Sequence, residues 1–333
     1  MSAIGLGLDT TFDDTSVAIL RGKREILANL TLSQYKDHEE FGGVVPERAS
    51  RKHLEVIHHL IADALKEAQL DFSGIDYIAV SNHPGLLGSL LVGLTVAKSL
   101  AYTLQCPLIG VNHVESHPYA NVLIHGEMQF PILHLVVAGG HTLLIKARDH
   151  FDYKIIGRSL DDAAGECVDK VAKMFGHAMP GGPVVDSAAQ EFSGDAFDFP
   201  RPLMHKNGHN FSFSGLKTAL LYFMDSTKNK KDILLEDIAA SYQQAIIDVL
   251  VIKLHQAVIE TNVNSCVIAG GVAANIALRI AVESKLSTTR VLFPDLSLCT
   301  DNAAMVAFLG ELYLRNGVSS VMEFDIDPNL KLA

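Results

Sequence analysis

The stretch Asn112-His113-Val114-Glu115-Ser116-His117 sets two imidazoles four residues apart. On a helix that spacing puts both rings on one face, one turn apart. Two neutral imidazoles so held are natural ligands for a divalent transition metal. Two ligands do not close a site, and Asp301, in Cys299-Thr300-Asp301-Asn302-Ala303-Ala304-Met305, is the candidate third. The pattern is not the His-Glu-x-x-His of zinc peptidases. Glu115 follows His113 by two residues, which on a helix turns it roughly 200° away from the histidine face. It is poorly placed to serve as the base of a metal-bound water. Spacing alone also admits two ordinary histidines among the fifteen in the chain.

Two strand–turn–strand units must position such groups. In the first, Ile4–Asp9 reads as a short apolar strand, Thr10–Thr15 as a polar turn and Ser16–Leu20 as the returning strand. Hydroxyls and backbone N–H groups in that turn can cradle an anion, whereas Asp13 and Asp14 suggest a metal or a water to be oriented. In the second, Leu133–Val137 and Leu143–Lys146 flank the turn Ala138-Gly139-Gly140-His141-Thr142. Gly-Gly permits positive φ and close approach of backbone N–H groups to a phosphate. Two such units, each followed by helices and further strands, predict a duplicated α/β fold with a cleft between lobes.

The intervening segments read as regular elements. Gly42-Gly43-Val44-Val45-Pro46-Glu47 opens a helix running to about Gln69. Ile75–Ser81 is a buried strand, Pro84–Ser89 a glycine-rich turn, Leu90–Thr103 a helix, and Leu108–Val111 the strand that delivers the histidines. Asp161-Asp162-Ala163-Ala164-Gly165-Glu166 begins a helix with an acidic cap, along which Glu166/Lys170 and Asp169/Lys173 are four-residue ion pairs. Pro180-Gly181-Gly182-Pro183 is a rigid loop before the helix of Asp186, and Phe211–Thr218 begins another helix. Glu236–Thr261 reads as a long amphipathic helix. Cys266–Ala269 is a buried strand that Gly270-Gly271-Val272-Ala273-Ala274-Asn275 turns into a helix. A strand–glycine–helix passage of that kind suits a ribose or phosphate, although Walker A and the full G-x-G-x-x-G pattern are both missing.

At 333 residues, 48% hydrophobic and 20% charged, the chain is long enough for two domains with real cores. No basic or Arg/Ser-rich leader precedes the first strand, and the apolar runs break before a membrane-spanning length. Four scattered cysteines read as cytosolic thiols rather than disulfides or a zinc cluster. Together these features predict a cytoplasmic protein with no membrane partner. A net charge of −11 argues against unaided long-range attraction to nucleic acid.

Seven motifs occur in one order: Gly42–Glu47, His113–His117, Gly139–Thr142, Asp161–Glu166, Phe211–Thr218, Ala269–Asn275 and Cys299–Asn302. The series resembles the TsaD (Gcp) family of tRNA threonylcarbamoyladenosine transferases, bacterial relatives of the KEOPS catalytic subunit. Each motif alone is weak; the series is specific and covers nearly the whole chain. The resemblance implies an α/β fold of two ribonuclease-H-like lobes of the actin/Hsp70/sugar-kinase superfamily around a nucleotide cleft. Residues 1–120 with 301–333 would form the N-terminal lobe and 121–300 the C-terminal lobe. It implies transfer of a threonylcarbamoyl group from L-threonylcarbamoyladenylate to N6 of the adenosine 3′ to the anticodon, with release of AMP. By matching motif, His113, His117 and Asp301 would hold one divalent metal, Fe2+ first, with Zn2+ or Mg2+ as alternatives. Val136, Val137, Ala138, Gly139, Gly140, Asp169, Gly182, Asp186 and Asn275 would contact the adenylate. The family's acidic pair falls on Asp13 and Asp14. The implied partners are tRNA, TsaB-type and TsaE-type proteins, and a TsaC-type enzyme that supplies the adenylate.

The implied chemistry suits these residues. The donor is a mixed anhydride with a good leaving group, and a metal can act as Lewis acid and template. Backbone N–H groups of Gly139 and Gly140 can hold phosphate charge. The adenosine amine is a poor nucleophile, so orientation matters more than a strong base, and Asp14 is the candidate catalytic carboxylate. The chain departs from the family where Asp9-Thr10-Thr11-Phe12-Asp13-Asp14 replaces the commoner Glu-Thr-Ser-Cys-Asp-Glu. It departs again at Ala138, where Ser is common, and at Asn112, where many members have His. Two other readings share these features: a metal-dependent glycoprotein endopeptidase using the histidine pair, and a sugar-kinase or Hsp70-like ATPase sharing the fold.

Overall fold

A computed structural model describes residues 2–176, 181–189, 194–227, 234–318, 322–330 and 332. The chain folds as two units, Met1–Glu127 with Asp301–Ala333 and Met128–Thr300.

The first unit begins with three strands, β1 (Ile4–Asp9), β2 (Asp14–Arg21) and β3 (Glu25–Ser33), followed by the short helix α1 (Tyr35–His38). Next come α2 (Pro46–Glu67), β4 (Tyr77–His83), α3 (Leu87–Leu104), β5 (Leu108–Asn112), the single turn α4 (His113–Ser116) and α5 (Ala120–His125). The sheet order is β3-β2-β1-β4-β5, with β1–β2 and β2–β3 antiparallel and β1–β4 and β4–β5 parallel. Leu6, Leu8, Ile19, Ile78 and Val80 from the sheet bury against Ile57 and Ile61 of α2 and Leu94 and Ala97 of α3. Pro46 at the first helical position of α2 costs nothing there, because its missing N–H would have had no intrahelical acceptor. Among the described residues α3 alone is long and apolar enough to cross a membrane by length and composition, and it packs on β4 and α2.

The second unit repeats the plan. It contains β6 (Ile132–Val137), β7 (Thr142–Asp149), β8 (Asp152–Arg158), α6 (Ala164–Met174), α7 (Gly181–Ala189), α8 (Ser214–Thr227) and α9 (Leu235–Thr261). It closes with β9 (Ser265–Ala269), α10 (Ile276–Lys285) and β10 (Arg290–Leu292). Its sheet order, β10-β9-β6-β7-β8, matches that of the first unit strand for strand. The hairpin arms β6–β7 and β7–β8 are antiparallel, and β6–β9 and β9–β10 are parallel. The helix expected to be amphipathic is not. Positions Ile238–Gln243 and Ala245–Ile247 are all buried, so α9 runs through the core with apolar residues on every side. The acidic cap expected on α6 is also absent: its N-cap is Ala163, whose side chain makes no capping bond. The Asp161 carboxylate instead accepts from the N–H groups of Phe213 and Ser214 and the hydroxyls of Ser212 and Ser214, and so caps α8.

The last helix, α11 (Ala303–Arg315), returns to the first unit and lies on β1, β2 and β4. Gly7 makes this possible, since a Cβ there would stand 2.3 Å from the carbonyl oxygen of Ala303. Asn302 caps the helix through its side chain to the Met305 N–H, so Asp301 emerges at a fixed point beside the end of β1.

Candidate functional site

In the first unit, β5 ends at Asn112, whose side-chain oxygen accepts from the N–H groups of Val114 and Glu115 at 2.8 and 3.1 Å. That cap starts α4 and supplies a structural role for the residue standing where many family members have His. The histidine helix is shorter than expected. After one α turn, Pro118 leads into a 3₁₀ turn over His117–Tyr119. The four-residue spacing survives the change. The rings of His113 and His117 lie 4.8 Å apart at 78°, and Nε2 of each stands 3.5 Å from Asp301 Oδ1. One ligand atom from each residue falls within a 4.8 Å group, with both histidines buried and Asp301 partly exposed. Glu115 points elsewhere and accepts from the Tyr313 hydroxyl at 2.8 Å.

The sequence reading missed Asp9 as a member of this site. Its Oδ2 is 2.7 Å from His113 Nδ1, and Ser81 donates to the same oxygen at 3.2 Å. Its Oδ1 accepts from the Thr11 N–H and hydroxyl at 3.0 and 2.8 Å. A carboxylate holding Nδ1–H fixes the ring and leaves Nε2 to a metal. Burial alone would depress the His113 pKa, but the carboxylates of Asp9 and Asp301 outweigh it and raise the pKa well above the usual histidine value. The site is therefore built for positive charge. Two imidazoles and one carboxylate, one imidazole held from behind, form a donor set that fits a divalent transition metal.

Asp14 opens β2 beside this site. Burial pushes its carboxyl up to about 7; a hydrogen bond with Ser33 draws it back, and the charges of Asp301, Asp13 and Asp9 add to the rise. A carboxyl at that value can exchange a proton near neutral pH.

The remaining candidates lie in the second unit, around the adjacent ends of the parallel strands β6 and β9. Val136 and Val137 are fully buried strand residues paired with Leu143 and Thr142 of β7. The turn after them closes through the Ala138 N–H to the carbonyl of His141. Gly139 and Gly140 do not use positive φ, contrary to the expectation; the left-handed glycine here is Gly270, at φ +93°. A Cβ on Gly270 would also lie 2.4 Å from the Val137 carbonyl oxygen. Gly139, Gly140 and Gly182 face open space. Asp169 accepts from the Gly181 N–H at 2.7 Å and thereby caps α7. Asp186 stands 3.5 Å from the Ile276 N–H, and burial raises its pKa while hydrogen bonds to Ile276 and Gln243 lower it. Asn275 caps α10 and donates to Gln243 at 2.8 Å, so Gln243 links Asp186 to Asn275. Of the rigid loop expected at Pro180–Pro183, Pro180 lies outside the described residues, and Gly181-Gly182-Pro183 form not a loop but the first turn of α7.

Two α/β units with one shared strand order define a class of fold, a duplicated α/β architecture. Solved structures agree at the level of fold. HypF of T. kodakarensis superposes with TM-score 0.62 at 14% identity, over 95% of this chain and 48% of that one. The (R)-2-hydroxyglutaryl-CoA dehydratase component A of Acidaminococcus fermentans gives 0.55 at 14% identity, over 95% and 99%. The family profile of TsaD, tRNA N6-adenosine threonylcarbamoyltransferase, matches residues 25–308. Curated relatives of that name are 42% identical in Clostridioides difficile, over 99% of this chain and 98% of the relative, and 46% identical in Geotalea daltonii, over 97% and 95%. The chain belongs to the tRNA N6-adenosine threonylcarbamoyltransferase family.

Proposed function

We propose that this chain transfers the threonylcarbamoyl group of L-threonylcarbamoyladenylate to N6 of the adenosine 3′ to the anticodon, in tRNAs reading codons that begin with A, with release of AMP. The observation that carries this reading is the His113–His117–Asp301 donor set, backed by Asp9, in a chain related over its full length to curated transferases of that name. Two histidines and a carboxylate with open positions favour Fe2+ over Zn2+ or Mg2+. Bound there, the ion supplies Lewis acidity for an acyl carbonyl.

In the second unit the exposed backbone of Gly139 and Gly140 supplies N–H groups for the adenylate's phosphate, and Gly182, half-buried in the first turn of α7 with its N–H on Asp169, borders that region without a side chain to obstruct it. Asp169, Asp186 and Asn275 shape that region, and Ala138 closes the turn. Asp14, with its carboxyl near 7, takes the proton that N6 must lose. The product AMP is a good leaving group, so the residues need to align the amine more than to activate it.

Partner proteins of TsaB and TsaE type assist, and a TsaC-type enzyme supplies the adenylate in the cytoplasm. The surface charges support that dependence. Arg48 pairs with Glu40 at 2.8 Å, Arg51 with Glu47 at 2.7 Å, and Arg201 with Asp248 at 2.7 Å. Those cations are largely neutralised and offer little to a phosphate backbone. Leu54 of α2 and Leu87 and Leu91 of α3 are at least half exposed, and a TsaB-type partner would cover apolar surface of this kind. The test is incubation with the adenylate, unmodified tRNA and the partner proteins, followed by nucleoside mass spectrometry. Threonylcarbamoyladenosine is the expected product; none with every component active would end this reading.

A further inference from the structure

The turn between β1 and β2 carries Asp13 and runs into Asp14 at the start of β2, and neighbouring elements bond it at each residue from Thr10 to Asp13. The Thr10 hydroxyl donates to the Ser89 carbonyl at 2.8 Å, and the Leu86 N–H donates to the Thr11 carbonyl at 2.8 Å. The Ser89 hydroxyl reaches the Phe12 carbonyl at 3.2 Å, and the Gln34 N–H reaches the Asp13 carbonyl at 3.1 Å.

His53 of α2, fully buried, completes the set from below. Its Nε2 is 3.0 Å from the Phe12 carbonyl oxygen, which can only accept, so Nε2 carries the proton. Nδ1 is then an acceptor, and Thr15 Oγ1 at 2.7 Å and Gln34 Nε2 at 3.1 Å both donate to it. The network continues in one sense. Gln34 Oε1 lies 3.2 Å from His38 Nε2, and His38 Nδ1 accepts from the Val45 N–H at 3.3 Å. Every polar atom of the His53 ring is thus spent on the turn or on the residue that fixes it. Burial pushes the His53 pKa down, which keeps the ring neutral and the pattern single-valued.

An apolar side chain could fill this space, but it would take the acceptor from the buried Thr15 hydroxyl and a donor from the Phe12 carbonyl. A histidine here serves to bond the turn. We propose that His53 is a positioning residue for the transfer reaction: it bridges α2 to Phe12 and Thr15 and so fixes the backbone that presents Asp13 and Asp14. The displacement would reach the metal ligands as well, because the Phe12 ring meets His113 edge-on at 5.7 Å. This inference rests on the proposed transferase function.

The test uses the full chain with its partners, adenylate and tRNA. In His53→Leu the volume is retained and all three hydrogen bonds of the ring are lost; kcat should fall by roughly tenfold to a hundredfold, the effect of about 1 Å of misplacement, with KM little changed. His53→Gln keeps a donor toward Phe12 and should recover most of kcat. His53→Asn keeps an acceptor near Nδ1 but cannot reach Phe12, and should behave like His53→Leu. The Asn and Gln variants decide the matter if His53→Leu does not fold. Separately, 15N NMR of the wild type should show the Nε2–H tautomer. Wild-type kcat in a folded His53→Leu or His53→Asn, no recovery in His53→Gln, or an Nδ1–H tautomer would each overturn the inference. An inactive wild type that shows the Nε2–H tautomer defeats the transfer reading itself and takes the positioning role of His53 with it.

Discussion

The carboxyl of Asp14 gives the structure a measurable pH dependence. In the unfolded chain it ionises near 3.8; in the folded chain burial and its acidic neighbours hold the proton until about pH 7. The difference is about three pH units, and at about 1.4 kcal/mol per unit it amounts to about 4 kcal/mol. Asp14 is partly exposed, so about 2–4 kcal/mol is the working figure. The sign follows from which state ionises first. Below about pH 4 both states hold the proton and there is no penalty. As pH rises toward 7 the unfolded state ionises while the folded state does not, and stability is lost; above about 7 the loss is constant. Asp14→Asn cannot ionise and escapes that loss. Urea denaturation of both proteins in chelator, from pH 4.5 to 8, should show the variant gaining on the wild type by that amount. Added metal should shrink the gain, because a nearby cation stabilises the carboxylate. A difference that does not move with pH would refute the placement of this carboxyl in a buried, acidic surrounding.

Three further outcomes follow from the geometry. Asp9→Asn should weaken metal binding roughly tenfold to a hundredfold in a metal-buffer titration, as loss of a histidine-orienting carboxylate does elsewhere; unchanged affinity in a folded variant would remove Asp9 from the site. Gly140→Val places its side chain in open space and should leave the melting temperature unchanged while weakening adenylate binding by about tenfold, or about 1.4 kcal/mol, in calorimetry. Equal affinity would place the phosphate elsewhere. The isolated chain should bind tRNA weakly and lose it between about 50 and 200 mM salt, with tight binding only alongside its partners. Tight binding and sustained turnover by the purified chain alone would contradict this.

The legible parts of the sequence were those with short-range signatures. The spacing of His113 and His117, the strand of Ile4–Asp9 and the glycine passage after Cys266–Ala269 could each be read within a dozen residues. What escaped were groups defined by partners far along the chain. Asp9 meets His113 across 104 residues, and Asp161 caps a helix beginning 53 residues later. One signal for Asp9 was present: a carboxylate ending a strand whose neighbours are apolar is buried, and a buried carboxylate needs donors. The strands β3, β8 and β10 were also missed. β3 buries only Ala28 fully, and β10 has three residues, so neither shows a clean alternation. Nor does the sequence show that Arg48 and Arg51 face Glu40 and Glu47, partners that only the folded chain brings to them.

The two units show how one scaffold can carry two kinds of chemistry at its strand ends. β1 and β6 hold the same place in sheets of the same order, as do β4 and β9. At the end of β1 stand Asp9, Asp13 and Asp14, and the chain leaving β5 brings two histidines. At the end of β6 stand Gly139 and Gly140, and at the end of β9 stand Gly270 and Gly271. Carboxylates and imidazoles concentrated at strand ends make a place for a cation, and the raised His113 pKa is the trace of that field acting on a proton. Glycines at the corresponding ends expose backbone N–H groups with no side chain before them, which suits an anion. The shared strand order therefore supplies positions without deciding chemistry. The few residues that follow each strand give one unit donors suited to a cation and the other backbone suited to an anion.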